Sequence, residues 1–508
     1  MFGATKGTKT LNKAALSAFA GACALSASAA VSVVPLPQKV VEHEGEYAFE
    51  GALPADKIAY ANDEGVPAEG YRLAVTPGTI TVTSSDEAGR FYAMQTLRQL
   101  VRPGEGEKGR SIPCVEIEDA PRFKWRGVHF DDCRHFFGKE ALMKTLDAMA
   151  LHKLNRLHWH LTEDQGWRIE IKKYPELVRK GSVRPASPKP VVLNTPGRKG
   201  WESNRIPYGP FFYTQDDVRE IVAYAKARHI EVVPEIELPG HALAAIAAYP
   251  ELGCSGLQTE PWWHWGVSEN IFCGGSDRVI EFLEDVFDEV CDLFPGSVIH
   301  IGGDEAPKKA WKDCPKCQKR IRDLGLDGEE GLQGWMTRHF TDYLADKGRR
   351  AVGWDEVLAG NPGTETIIMS WRGAEGGIKA AERGNDAVMT PIDPCYLDNP
   401  QGLADDPYEY INYGFVDTLE RAYGFDPAAG VPEDKVSHIL GGQGNNWSEY
   451  TWNPSELEWK MWPRMCAIAE CLWTNPENKS WDGFRPRVAD MRRRLVRELH
   501  VNCAPVEP

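Results

Sequence analysis

The chain has 508 residues, 42% hydrophobic and 26% charged, with a formal net charge of −16. That composition excludes a collagen-like, coiled-coil or wholly disordered protein, and the acidic balance lacks the Lys and Arg excess that phosphate recognition needs, so no nucleic-acid partner is expected. Length alone suggests about three domains at roughly 150 residues each, and seventeen Trp stand out as flat faces on which ligands stack.

Lys6, Lys9 and Lys13 make a basic start, Ala14 to Leu25 is apolar and free of acids, and Ala27-Ser28-Ala29 has a small-x-small pattern. Together they predict a signal peptide over 1–29 and an exported protein. Its removal takes three lysines and no acids, moving the charge to −19. Lipid anchoring at Cys23 is the alternative, opposed by Ala20-Gly21-Ala22, which lacks the usual branched residue upstream. No later run reaches about 18 uninterrupted apolar residues, so no transmembrane segment is expected.

Residues 31–118 read as a small α+β domain. Tyr71 to Thr83 alternates on both sides of Pro77-Gly78, a hairpin pattern. From Asp86 the pattern turns helical behind Ser85 as N-cap, with Ala88, Phe91, Met94, Leu97 and Val101 near one face. Pro103 to Gly109 is a polar linker.

Over 122–500 eight β-like runs recur: Trp125–Asp131, Arg156–Glu163, Glu231–Glu237, Val298–Glu305, Arg350–Glu356, Thr366–Trp371, Asp386–Thr390 and Ile439–Glu449. Helical patterns fall between several of them, as in Glu140–Leu151, Asp216–Arg228, Asp277–Leu293 and Leu332–Lys347. This alternation predicts a (β/α)8 barrel, whose active site would lie at the C-terminal strand ends, where His, Asp, Glu and Trp are concentrated.

Twelve cysteines less Cys23 leave eleven, so an exported chain keeps at least one free thiol. Cys314-Pro-Lys-Cys317 is a single CxxC with no second pair and no nearby His, which counts against zinc. Cys254 and Cys273 bracket a Trp-rich insertion and are either bridged or, like the others, buried small apolar residues.

The densest chemical signal is His300-Ile-Gly-Gly-Asp304-Glu305 after an apolar strand. Glycines let backbone and ligand approach, and adjacent carboxylates push their pKa values apart. One then stays ionised while the other holds a proton near neutrality, as acid-assisted bond cleavage requires. His158 and His160 alternate with Trp159, so both face the barrel interior and read as packing residues or as supports behind the site, without an evident third metal ligand.

Arg134-His-Phe-Phe137, His152 through Trp167, Pro234-Glu-Ile-Glu-Leu-Pro-Gly-His241, His300–Glu305, Gly353-Trp-Asp-Glu356, Tyr396-Leu-Asp398 and Trp447-Ser-Glu449 follow in order. With them the chain resembles the family 20 glycoside hydrolases, β-N-acetylhexosaminidases, from Tyr71 through Trp473. The resemblance implies an exo-acting, retaining enzyme whose nucleophile is the acetamide of the glycan substrate, with no metal or organic cofactor. By that resemblance Glu305 is the general acid and base, Asp304 orients the acetamide N–H, and Tyr396 holds its carbonyl oxygen. Arg134, Glu449 and Asp398 would bind sugar hydroxyls, and Trp354, Trp371 and Trp447 would wall the pocket. On local sequence, Arg134 could instead simply pair with Asp131 or Asp132. His241 is a candidate for orienting carboxylates, and Glu163 for binding.

Two positions depart from the family pattern. Glu163-Asp164 stands where many relatives have Asp-Asp, and Glu237 where some have Asp, each change adding a methylene and keeping the charge. Trp262-Trp263-His264-Trp265 would either stack a second sugar or anchor its own loop.

Overall fold

The computed structural model describes residues 31–103, 109–187, 206–403, 407–408 and 415–506. The expected signal peptide, Cys23 and linker residues 104–108 lie outside them.

The small domain is a sheet of β1 (Lys39–Phe49), β2 (Ile58–Asn62), β3 (Tyr71–Val75), β4 (Ile80–Ser84), β5 (Arg102–Pro103) and β6 (Arg110–Asp119). Its order is β1-β6-β3-β4-β2, with β5 beside β6. The hairpin forms as expected, β3 antiparallel to β4, and its alternation buries Tyr71, Leu73, Val75, Ile80 and Val82. The helix Glu87–Leu100 differs from expectation in two ways. Its N-cap is Asp86, not Ser85, because one carboxylate serves two donors: Oδ1 accepts from Gly89 N at 2.7 Å and Oδ2 from Glu69 N at 2.8 Å. Its buried face carries Tyr92, Ala93, Thr96, Leu97 and Leu100, leaving Phe91 and Met94 half-buried.

The larger part is the expected closed barrel. Its strands are β7 (Trp125–Asp131), β8 (Arg156–His160), β13 (Glu231–Glu235), β14 (Val298–His300), β15 (Arg350–Trp354), β16 (Ile367–Ser370), β17 (Ala387–Met389) and β18 (Ile439–Gly444), all parallel to their neighbours. Two short antiparallel pairs decorate the loops: β9 (Thr162–Glu163) with β10 (Gly166–Trp167), and β11 (Arg184–Pro185) with β12 (Pro207–Tyr208). Helices Lys139–Leu151, Gln215–Lys226, Asp277–Leu293 and Gly328–Asp346 fall where the sequence pattern put them. Seven of the eight strands stop short of their expected ends, so Glu163, Glu237, Asp304, Glu305, Glu356, Trp371 and Glu449 stand on the loops that follow.

Inside the barrel, alternate residues make an apolar layer of Trp125, Val233, Val298, Val352, Ile367, Met369 and Val388. Toward the C-terminal face the same strands turn polar, with His129, His158, His160, Glu235 and His300 all fully buried. The small domain meets the other end of the barrel through charge. Asp119 Oδ2 accepts from Lys153 Nζ at 2.8 Å and from Tyr71 Oη at 2.6 Å, and Asp119 Oδ1 from Trp473 Nε1 at 2.8 Å. Arg126, equally buried, donates to Glu69 Oε1 at 2.7 Å.

Candidate active site

The segment after β14 turns sharply through Gly302 (φ 62°) and Gly303 (φ 104°). Only glycine fits at Gly302, where a Cβ would lie 1.8 Å from Glu237 Oε2. Glu305 follows at φ 45°, an uncommon conformation for a residue with a side chain, held here by its surroundings. The turn leaves Asp304 nearly buried and Glu305 at the mouth, its side chain 12% and 44% exposed respectively. Burial first, then the charge of Asp304, raises the Glu305 carboxyl above the ordinary glutamate range; His241 and Arg134 offset part of that. Asp304 Oδ1 is buried and accepts no hydrogen bond from the described residues, so its acceptor faces the pocket uncommitted.

Beneath them lies a hub centred on Glu235, a residue the sequence reading left without a role. Glu235 Oε1 accepts from Trp354 Nε1 and pairs with His300 Nδ1, both at 2.8 Å, while Oε2 pairs with His158 Nε2 at 3.1 Å and with His160 Nδ1. Burial opposes ionisation of Glu235, but His300, His160 and His158 outweigh it and hold the carboxyl well below the usual range. Burial presses His158 down to about 4, whereas Glu235 and Glu163 overcome burial at His160 and lift it to about 10. Glu237 is pushed the other way: burial, then Asp304 and Glu235, raise its carboxyl well above the ordinary range.

His241, at φ 47°, bridges the hub to the acids. Its Nδ1 lies 2.7 Å from Glu163 Oε1 and its Nε2 3.4 Å from Asp304 Oδ2 and 3.7 Å from Glu305 Oε2. Glu163 and Asp304 overcome its burial and favour the imidazolium. His241 thus stands where it orients carboxylates, and the expectation that Glu163 binds substrate is corrected. Glu163 is 1% exposed, with its oxygens taken by His241, His160 and Arg134. Both residues position groups that line the pocket and do not line it themselves. The neighbouring Asp164 accepts from Leu243 N at 3.0 Å and Ser268 N at 2.9 Å, tying down the insertion after β13.

Arg134 lines the pocket, with Nη2 2.9 Å from Glu163 and 4.0 Å from Glu449 and Nη1 3.4 Å from Asp131. The ion-pair reading of Arg134 thus holds toward Asp131, while Asp132 instead accepts from Trp159 and Tyr213. Glu449 is pushed up to about 7, chiefly by burial. Asp398 is buried, accepts from Trp447 N at 3.4 Å, and stands behind the wall and not in it.

Trp354, Trp371, Trp447 and Tyr396 come together with Arg134, Asp304, Glu305 and Glu449 around a pocket of about 320 Å3. Trp371 and Tyr396 are nearly parallel at 17°, ring centres 6.3 Å apart, and the Arg134 guanidinium sits 4.9 Å from the Trp447 ring. Burial raises the Tyr396 phenol well above its ordinary range, so its hydroxyl remains a donor. Trp371 is fixed by its Nε1, which donates to Glu356 Oε2 at 2.9 Å. Burial, Asp304 and Asp355 push Glu356 up to about 9. Trp265 and Tyr450 also line the pocket; Tyr450 was assigned no place in it, and Trp265 belongs to the cluster read as either stacking a second sugar or anchoring its loop. Of the Trp262–Trp265 cluster, Trp265 reaches the pocket, while Trp262 N, Trp263 O and His264 O bond to Asp164, Ser187 and Gln165.

A barrel with an acid pair and an aromatic-walled pocket at the C-terminal strand ends defines a glycoside hydrolase. Residues 123–476 match the model of the glycosyl hydrolase family 20 catalytic domain, and residues 38–120 match that of family 20 domain 2. The chain belongs to glycosyl hydrolase family 20. It is 43% identical over 428 residues to a β-hexosaminidase of Porphyromonas gingivalis, an alignment covering 83% of this chain and 52% of that protein. It is 34% identical over 491 residues to a β-hexosaminidase of Akkermansia muciniphila, covering 93% and 92%. Among solved structures, the family 20 exo-β-N-acetylglucosaminidase of Vibrio harveyi in complex with N-acetylglucosamine superposes with a TM-score of 0.84 at 29% identity, covering 94% of this chain and 79% of that one.

Proposed function

We propose that the chain is an exo-acting, retaining β-N-acetylhexosaminidase that releases terminal β-linked GlcNAc or GalNAc from glycans or chitin oligosaccharides. The observation that carries this is the company around Asp304. An uncommitted carboxylate oxygen, a phenolic donor at Tyr396 and an apolar wall of tryptophans match the N–H, carbonyl and methyl of an acetamide. With Asp304 accepting from N–H and Tyr396 donating to the carbonyl, the carbonyl oxygen is aimed at the anomeric carbon. Glu305 protonates the glycosidic oxygen as the C–O bond breaks and the acetamide oxygen bonds to that carbon. The Glu305 carboxylate then takes a proton from water, which opens the cyclic intermediate and regenerates the acid with retained configuration.

Chromogenic β-glycosides of GlcNAc, GalNAc and glucose test the reading together. GlcNAc or GalNAc release inhibited by a thiazoline mimic of the cyclised intermediate is expected; glucoside cleavage at a comparable rate, or indifference to the thiazoline, would overturn acetamide participation. Binding without turnover would instead make the chain a silent glycan binder. Export also remains part of this proposal, supported by the basic, apolar and small-residue order of residues 1–29. Protein that stays inside the cell with those residues still attached would refute it.

A further inference from the structure

Four cysteines outside the catalytic pocket converge. Cys254 and Cys273 close the insertion that follows β13, where Gly253 and Phe272 form an antiparallel bridge and Cys273 N donates to Leu252 O at 2.8 Å. Cys314 and Cys317 lie on the stretch beyond Asp304-Glu305, Cys314 capping the helix Pro315–Leu324. The second pair that the CxxC lacked in linear sequence is thus supplied by the fold, and Cys254 and Cys273 are not bridged to each other.

The distances are those of a coordination shell. Cys254 Sγ is 3.9 Å from Cys317 Sγ, and Cys273 Sγ is 3.7 Å from Cys314 Sγ and 3.6 Å from Cys317 Sγ, all four lying within 4.8 Å of one another. A tetrahedron with metal–sulfur bonds of about 2.3 Å has edges of about 3.8 Å. Cys273, Cys314 and Cys317 are buried and Cys254 half-buried, which closes the shell to a fifth ligand. Gly275 packs directly against the backbone of Lys316 and Cys317. That approach needs glycine, because a Cβ on Gly275 would lie 2.1 Å from the Lys316 carbonyl carbon. Arg320 donates to Gly274 O at 3.1 Å, placing a cation beside the cluster. Contacts of this kind around a site hold its thiolate ligands in place and temper their charge.

We propose that Cys254, Cys273, Cys314 and Cys317 bind one structural zinc ion. Four thiolates in tetrahedral array select zinc among common divalent ions, and a full shell leaves it no catalytic position. Its work is mechanical. Trp265, Gly266 and Val267, which line the sugar pocket, belong to the loop between the first two ligands. The ion ties that loop to the segment leaving Glu305, so the aromatic rim keeps its place beside the acid.

Metal analysis of the purified full chain tests this, with thiols counted after denaturation in chelator. One zinc per chain and all eleven described cysteines as thiols is the expected result. A metal-free protein overturns the proposal, whether four thiols are missing, as two disulfides formed in an oxidising compartment require, or none is. Iron in place of zinc overturns the assignment of the ion. Cobalt exchanged into the intact protein should give the visible bands of a tetrahedral thiolate site, a readout that needs no variant. Cys317→Ser should lower zinc at least tenfold, whereas Cys291→Ser, a half-buried cysteine outside the cluster, should keep it; equal zinc in both variants would exclude these ligands.

Discussion

Replacing Glu305 by Gln should slow release of N-acetylhexosamine by at least about a hundredfold, the scale of a lost general acid, and by more for substrates whose leaving group is a poor one. The amide keeps the size and much of the hydrogen bonding, so KM should move little, and the loss should fall on kcat. The pH dependence carries the finer signature. Burial and the neighbouring Asp304 raise the Glu305 carboxyl, so its protonated form survives to higher pH than that of a free glutamate. Wild-type kcat/KM should fall on the alkaline side as that proton is lost, and the Gln variant should lack this limb. Near-normal rates with an unchanged alkaline limb would remove Glu305 from the chemistry.

Asp304→Asn should cost about a hundredfold to a thousandfold in kcat, the scale of one misplaced or missing charge-stabilising group in a dry site. The expected consequence reaches beyond the acetamide. Asp304 contributes to the raised carboxyls of Glu305, Glu237 and Glu356 and to the imidazolium of His241. Neutralising it removes one of the influences that hold the Glu305 proton, so the alkaline limb should shift to lower pH. A structural change alone would reduce the rate without moving that limb. An unshifted profile in an otherwise slow variant would show that the two carboxylates titrate independently.

The barrel was legible because its strands are apolar runs punctuated by chemistry, and the periodic helices between them read cleanly. The strand ends were not. Extended-looking sequence continues past His300, but the left-handed turn at Gly302-Gly303 stops the ladder there, and the hairpin at Thr162–Trp167 does the same after β8. Asp304, Glu305, Tyr396 and the three tryptophans were recognisable as motifs because each lies at or beyond the C-terminal end of a barrel strand. Glu235 and Glu356 sat inside those motifs without a role, since the role depends on which histidines and which indole the barrel brings to them. Glu163 looked like a ligand and stands as a support, because His241, His160 and Arg134 take its oxygens. The cysteine pairs were invisible as a foursome because their meeting depends on two loops leaving different strands.

The contact between Asp119, Lys153, Tyr71 and Trp473 bears on how this protein can be divided. The family description assigns 38–120 and 123–476 to separate modules, yet the carboxylate ending one module is the counter-ion of an ammonium wholly enclosed in the other. Charges buried this way cannot be parted cheaply; loss of one partner typically costs about 3–5 kcal/mol. The module boundary is thus a boundary of descent and not of stability. A catalytic fragment cut at residue 121 would lose its own electrostatic balance, and any transplanted small domain must bring an acid to the place of Asp119.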